Sequence, residues 1–336
     1  MRDGEDDRGA TASHGPKGLS SCTQCQGIFP AAKLTAHDGK LLCADCNRKF
    51  GPLDADGRSV AQDAAPAQPS YGARMVASSV TGDPVAVSRQ FGGRYEPRPT
   101  SLTGATGGLG ATLCRAFAAS GASLVLHGRV VRKLEALYDE LVAAGAPEPA
   151  ILPLDLEQAT SQSLAEAAAA IERQLGRLDA IVHCAATLKR LAPIEHHPIE
   201  EWMTVMRVNL GAPAALTRAC MPLLRRAPSA RVIFTLDSRG HDPKAYWGSY
   251  AAAKAGLEAL VHVLADEWES TPSLSAIGVI PGPVDSPMRK RTHPGGETGL
   301  RSLDSLVPLY ATLVGTEGAE FRGRVIDAQA WAAPGS

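Results

Sequence analysis

From about residue 100 onward, short apolar runs alternate with segments of helical periodicity, and no other feature of this chain constrains its fold as tightly. Strands separated by whole helices do not pair as tight hairpins, so the alternation predicts βαβ units and a parallel sheet. Leu109, Leu113 and Phe117 fall at i, i+4 and i+8, which predicts a helix from about Gly108 to Gly121. Ser123–Leu126 reads as a short buried strand, and Leu134, Leu137, Tyr138, Leu141 and Val142 stripe the next helix. Further strands are expected at Ile151–Leu154, Ala180–Cys184, Val232–Thr235 and Ala276–Ile280, with a last one that includes Val325 and Ile326. Helices are expected over roughly 162–175, 199–226 and 246–269. The fold class expected is α/β, a doubly wound parallel sheet with helices on both faces.

Composition divides the remainder of the chain. Residues 1–20 are polar and lack periodicity, which predicts a disordered tail. They have no apolar h-region and do not read as a secretory signal. Residues 21–50 hold four of the seven cysteines, as Cys22-x-x-Cys25 and Cys43-x-x-Cys46. That spacing fits a tetrahedral four-cysteine zinc site, structural because every ligand is a thiolate. Residues 51–98 are rich in Gly, Pro, Ala, Ser and Asp and read as a linker. The α/β domain is expected over 99–331. Cys114, Cys184 and Cys220 lie in apolar elements and read as core. A cytoplasmic, reducing setting is the expectation, with thiols as ligands or core groups instead of disulfides. The formal net charge of −1 gives no drive toward nucleic acid or anionic membrane, and Lys33, Lys40, Arg48 and Lys49 in the cysteine region make no strong basic patch. No apolar run is long enough for a transmembrane helix.

Two constellations in the α/β region carry chemistry. The run from Thr103 to Gly110 reads T-G-x-x-x-G-x-G. Glycine is needed where backbone must approach a pyrophosphate closely, and the helix that follows directs its free N–H groups at that anion. Thr103, Gly104, Thr106, Gly108, Leu109 and Gly110 are therefore candidate nucleotide contacts. Asp155, ending the strand after next, either bonds an adenine ring or simply closes a turn. One feature opposes a well-formed pocket. The segment Tyr95–Leu102, which should supply the first central strand, has two prolines and one strong apolar residue. Proline is poorly tolerated in a central strand, so a truncated or badly formed strand is expected.

The second constellation is Tyr250-x-x-x-Lys254 on an expected helix, where i, i+4 spacing puts both side chains on one face. A free phenol has a pKa of about 10. A neighbouring ammonium is expected to lower it, making the hydroxyl a proton donor and acceptor for a carbonyl or alcohol oxygen. Ser238, twelve positions before Tyr250, would hydrogen-bond the same oxygen, and Asn209 on the long helix would steady the lysine through water.

In this order and spacing the residues resemble the short-chain dehydrogenase/reductase superfamily over about 100–331. Trp247–Gly248–Ser249–Tyr250, Leu264–Ala265–Asp266–Glu267, Val307–Pro308–Leu309–Tyr310 and Ile326–Asp327–Ala328–Gln329 look like its YciK-like bacterial branch. The cysteine region resembles short zinc-ribbon or LIM-like knuckles. The superfamily resemblance implies a nicotinamide-dependent oxidoreductase acting on a small carbonyl or secondary alcohol. Its site would be Ser238, Tyr250 and Lys254, with Asn209 as fourth member. It also implies a dimer or tetramer built on the two long helices. NAD(P) would lie along the strand ends, touching Leu156, Cys184, Ala185, Pro281, Gly282, Val284 and Ser286 in addition to the loop. Cys184–Ala185–Ala186 stands where the family has Asn-Ala-Gly, which implies a looser floor to the site. Ser286 keeps the hydroxyl of the family's threonine. Arg129, at the end of the second strand, would pair with a 2′-phosphate where an acidic residue would grip a ribose hydroxyl, so NADP is expected over NAD. A second reading stays open at this point: an impaired dehydrogenase fold that binds a partner through the zinc module. The substrate would be shaped by Leu188–His197 and by a mobile loop after Ser286.

Overall fold

A computed structural model of the chain describes residues 98–331 and the backbone of four short strands nearer the N-terminus. The chain divides into two units, Met1–Gly72 and Ala73–Ser336. In the first, β1 (Leu19–Ser21) pairs antiparallel with β2 (Ile28–Pro30), and β3 (Leu34–His37) pairs antiparallel with β4 (Lys40–Cys43). Cys43 is the last residue of β4. Cys22, Cys25 and Cys46, with most of the expected tail and linker, lie outside the described residues.

The second unit contains a seven-stranded parallel sheet. Its strands are β5 (Thr100–Thr103), β6 (Leu124–Gly128), β7 (Ala150–Pro153), β8 (Ala180–His183), β9 (Ala230–Thr235), β10 (Leu274–Ile280) and β11 (Val325–Asp327). Their order is β11-β10-β9-β8-β5-β6-β7, the doubly wound arrangement expected. The direction in which successive strands are added to the sheet reverses between β5 and β8. The crevice at the carboxyl ends of such a pair is where ligands bind in open α/β sheets.

Period-two alternation along each strand builds two cores. Leu124 and Leu126 point into one, with Leu113 and Phe117 of α1 (Gly108–Ala119) and Leu134 and Leu137 of α2 (Val131–Ala143). Val125 points into the other, with Leu164 and Ile171 of α3 (Ser161–Leu175). Each such fully buried side chain contributes about 1.5–3 kcal/mol of transfer free energy. The long helix expected over 199–226 is α4 (Ile199–Met206) and α5 (Ala212–Leu224), joined by a π-helical turn at Arg207–Gly211. α6 (Gly248–Glu267) lays Leu257 and Val261 into the second core. Two helices lay outside the sequence pattern: α7 (Pro287–Thr292), capped by the Ser286 hydroxyl accepting from Arg289 N at 3.2 Å, and α8 (Val307–Val314). A proline at the first helical position and a serine before it are a local start signal that hydrophobic periodicity does not report.

The first central strand is short, as its sequence implied, yet it is fully paired on both sides and buried. Pro99 precedes the ladder, and its carbonyl accepts from Asp179 N and Ala180 N at 2.9 and 3.1 Å. The polar residues find partners. Thr100 Oγ1 donates to Arg98 O at 3.0 Å, Ser101 Oγ meets His127 Nε2 at 2.7 Å, and Thr103 Oγ1 accepts from Ala185 N at 3.2 Å. Buried polar groups are tolerated when they are hydrogen-bonded, so a polar strand can stand at the centre of a sheet. Among the described residues no helix is long and apolar enough to cross a membrane.

Candidate active site

Backbone geometry at the end of β5 explains the glycines. Gly104 has φ of 67°, a left-handed conformation that costs other residues energy. Gly107 N donates to Gly104 O at 2.8 Å, and Ala105 N to His127 O at 3.0 Å, which closes a tight turn into α1. A methyl on Gly104 would stand 2.8 Å from Ala185 Cα, and one on Gly110 would run into the Gly104 carbonyl. No side chain caps α1 and no acidic residue occupies its first turn. Its free N–H groups therefore face the cleft in the arrangement a pyrophosphate requires.

That cleft, of about 690 Å³, is lined by Thr103, Gly104, Thr106, Gly108, Leu109 and Gly110 of the loop. Arg129, Asp155, Leu156, Cys184, Ala185, Pro281, Gly282, Val284 and Ser286 line it as well. Ser238, Tyr250 and Lys254 line it too. The fold thus brings every expected cofactor contact and three of the four expected catalytic residues to one cavity. A dinucleotide's pyrophosphate fits here, because the tight glycine turn brings backbone and the uncapped start of α1 to the cleft wall. Lys133, in the first turn of α2, is a second exposed cation on the wall, and its position four residues past Arg129 lies beyond the strand end. Asp155 uses Oδ1 to accept from Glu157 N at 3.0 Å, so it does close a turn, and it does so while lining the cleft. The floor expected to be loose is tied. Ala185 N donates to Thr103, and Thr235 Oγ1 lies 3.7 Å from Cys184 Sγ. Burial pushes the Cys184 thiol up to about 12, which makes it a wall and not a nucleophile.

Tyr250 and Lys254 share one face of α6 and are 3% and 2% exposed. Lys254 Nζ donates to the Thr235 carbonyl at 2.6 Å and lies 5.7 Å from the Tyr250 ring centroid. The partner of the Tyr250 hydroxyl is Asp237, whose Oδ2 accepts from it at 3.2 Å. Asp237 Oδ1 accepts from Arg239 N at 2.9 Å and caps the 3₁₀ turn Ser238–Gly240. Ser238 is the next residue along the cleft wall. A search for a hydroxyl at this spacing reads past the carboxylate beside it. Asn209, fully buried in the π-helical turn, clamps the Thr187 backbone: Oδ1 accepts from Thr187 N at 2.7 Å and Nδ2 donates to Thr187 O at 2.8 Å. It therefore stands behind the cleft, fastening the segment after β8.

The electrostatics differ from the expectation that the ammonium would lower the phenol's pKa. Burial, then the charge of Asp237 and the hydrogen bond to it, push Tyr250 well above its ordinary value. Burial pushes Lys254 down to about 8, against the opposing pull of Asp237 and Cys184. The phenol here is held in its protonated form. Trp247 meets the Tyr250 ring edge-on at 5.7 Å, and Met288 Sδ lies 3.8 Å from the Tyr250 hydroxyl. Both close an apolar collar around the Tyr250 hydroxyl.

Residues 100–296 match the family model of the short chain dehydrogenases. The uncharacterized oxidoreductase YciK of Escherichia coli K12 is 32% identical over 249 residues, 72% of this chain and 98% of that protein. A short-chain dehydrogenase structure from Pseudomonas syringae has a TM-score of 0.67 at 37% identity, covering 70% of this chain and 98% of its own. One from Shigella flexneri, complexed with NADP, has a TM-score of 0.67 at 31% identity, covering 70% of this chain and 99% of its own.

Proposed function

The chain belongs to the short-chain dehydrogenases, and from that premise we propose that it transfers a hydride between NADP(H) and a small carbonyl or secondary alcohol. The observation that carries the reading is the single cleft lined by the glycine loop, Arg129, Tyr250 and Lys254. The nicotinamide supplies the hydride when bound. The protein's own part is proton handling and placement. Tyr250 gives its proton to the substrate oxygen, the Lys254 ammonium stabilises the phenolate left behind, and Ser238 offers a hydroxyl to the same oxygen. Asn209 keeps the segment after β8 in place through Thr187. A panel of ketones and aldehydes with NADPH and NADH tests this, and absence of NADPH binding by fluorescence titration refutes it.

The preference for NADP rests on Arg129 and Lys133, and on the NADP and NADPH held by two similar structures. A charge-assisted bond to the 2′-phosphate contributes about 1.5–3 kcal/mol, so Arg129→Glu should weaken NADPH binding at least roughly tenfold. NADH binding should be unchanged or tighter, because its ribose presents no phosphate and a carboxylate can accept its 2′-hydroxyl. Equal weakening of both would remove Arg129 from the phosphate site.

For the N-terminal unit the reading is a structural zinc held by Cys22, Cys25, Cys43 and Cys46. Its support is the paired Cys-x-x-Cys spacing and the two antiparallel hairpins among which those cysteines fall. Elemental analysis should find about one zinc per chain, lost on Cys→Ser replacement of all four. Protein made with zinc present but carrying none would end the assignment.

A further inference from the structure

A carboxylate stands where carbonyl reduction needs a donor. When hydride reaches a carbonyl carbon, negative charge develops on the oxygen, and donors aimed at that oxygen lower the barrier. Asp237 is the residue bonded to the Tyr250 hydroxyl, and an ionised carboxylate only accepts hydrogen bonds. It is fixed by two bonds, one to Tyr250 and one to Arg239 N, so it does not swing away at little cost. Among the described residues no cationic side chain closes to within ion-pair distance of it. Lys254 is committed to the Thr235 carbonyl, and the Arg239 guanidinium lies near Asp242 and 5.5 Å from the Trp247 ring centroid. A negative charge thus faces the reacting end of the cleft; Lys254 feels it at a distance but spends its short hydrogen bond on the Thr235 carbonyl and forms no ion pair with Asp237.

We propose that Asp237 directs this site toward substrates whose reacting group is a protonated carbon–nitrogen double bond, an iminium ion, in preference to a neutral carbonyl. The inference rests on the reading that the cleft binds a reduced nicotinamide with Tyr250 facing the substrate. The chemistry balances without a proton donor. The iminium carbon gains a C–H bond from the hydride, the π pair of C=N becomes the lone pair of a neutral amine nitrogen, and the nicotinamide is oxidised. Asp237 supplies what the protein must add: it accepts the iminium N–H, neutralises its charge, and holds the nitrogen protonated. Tyr250, kept protonated by burial and by Asp237, then orients the carboxylate through its hydroxyl. The apolar collar of Trp247 and Met288 lowers the local dielectric and strengthens the pairing.

The test uses the full chain as wild type, Asp237→Ser and Asp237→Asn. Asparagine retains a side-chain acceptor for Arg239 N and the turn cap, so its folding is protected while the charge is lost. The substrates are 2-methyl-1-pyrroline and cyclopentanone, each with NADPH. The binding probe is 2-methylpyrrolidinium, titrated into protein saturated with NADP⁺. Wild type should favour the imine over the ketone in kcat/KM by at least about tenfold, the scale of one charged hydrogen bond, and both variants should lose that preference. Both should bind 2-methylpyrrolidinium at least about tenfold more weakly. Tyr250→Phe should cost the ketone more than the imine, because only the ketone needs its proton. A ketone preference in wild type, an unchanged ratio in the variants, or equal affinity for the ammonium in all three proteins would overturn the proposal. NADPH binding, measured in the same samples, separates the two readings. If it is lost, the cofactor assignment fails; if it is intact without imine preference, only the assignment of Asp237 fails.

Discussion

Tyr250→Phe, assayed on a ketone with NADPH, is expected to lose about 10²–10⁴-fold in turnover, the span that one positioned acid–base group supplies. The ring is retained, so its contacts with Trp247 and Ala253 in the core beside α6 survive. The substitution removes one hydroxyl and its bond to Asp237. Loss of a single hydrogen bond to a carboxylate costs about 1.5–3 kcal/mol of stability, less than the several kcal/mol that a domain of this size holds in reserve. NADPH binding should be unchanged. Full turnover in this variant would remove Tyr250 from the mechanism, whereas loss of NADPH binding would show that the hydroxyl shapes the cleft instead. The pH dependence has a definite sign. Lys254 is pushed down to about 8, so its ammonium is present below that value and is lost as pH rises through it. Tyr250 stays neutral well past this point because burial and Asp237 hold its proton. Ketone reduction should accordingly be level below about pH 8 and decline above it, with the lysine as the group responsible.

What could be read in the sequence depended on whether a residue's role is local. The βαβ alternation is local, and the sheet order follows from it with the right-handed crossover rule. The glycine loop is local as well: its turn, its left-handed Gly104 and its helix start all lie within Thr103–Gly110. The fate of β5 was not legible, because its stability comes from partners far along the chain. His127 bonds Ser101, Ala185 bonds Thr103, and Pro99 serves Asp179 and Ala180. Counting its apolar residues undervalues a strand whose polar atoms are all matched. Asp237 was hidden for a different reason. Ser238 satisfied the expected chemistry, and only three-dimensional geometry says which of two adjacent side chains reaches the phenol. Asn209 was expected to steady Lys254 through water, whereas its side chain holds the Thr187 backbone from a π-helical turn, which shifts the phase of the helix where a single period was assumed.

Gly110→Ala should abolish NADPH binding, although it adds a single methyl group. The new Cβ would run into the Gly104 carbonyl oxygen and stand 2.8 Å from that carbonyl's carbon and 3.1 Å from Ala105 Cα. Those are backbone atoms and cannot rotate aside. Relief requires either the turn or the start of α1 to move. α1 resists, because Leu113, Cys114 and Phe117 are seated in the core with at most 1% exposure. The turn resists too, since a displaced Gly104 would lose the Gly107 N–H and press on Ala185. Overpacking of this kind costs about 1–3 kcal/mol. In a domain of this length each kcal/mol lowers Tm by about 2–4 °C, so the variant should fold with a Tm reduced by several degrees. Its fluorescence titration with NADPH should show no saturable binding, because the displaced backbone is the part that must approach the pyrophosphate. Gly145→Ala is the control. It has φ of 82° and nothing within 4 Å of an added Cβ, so it carries backbone strain alone. That strain costs about 1–2 kcal/mol. The control should lower Tm by a comparable amount while binding NADPH normally. If both variants bind, the glycine loop is not the cradle of a dinucleotide; if neither does, the loss in Gly110→Ala reflects stability and not the geometry of the loop.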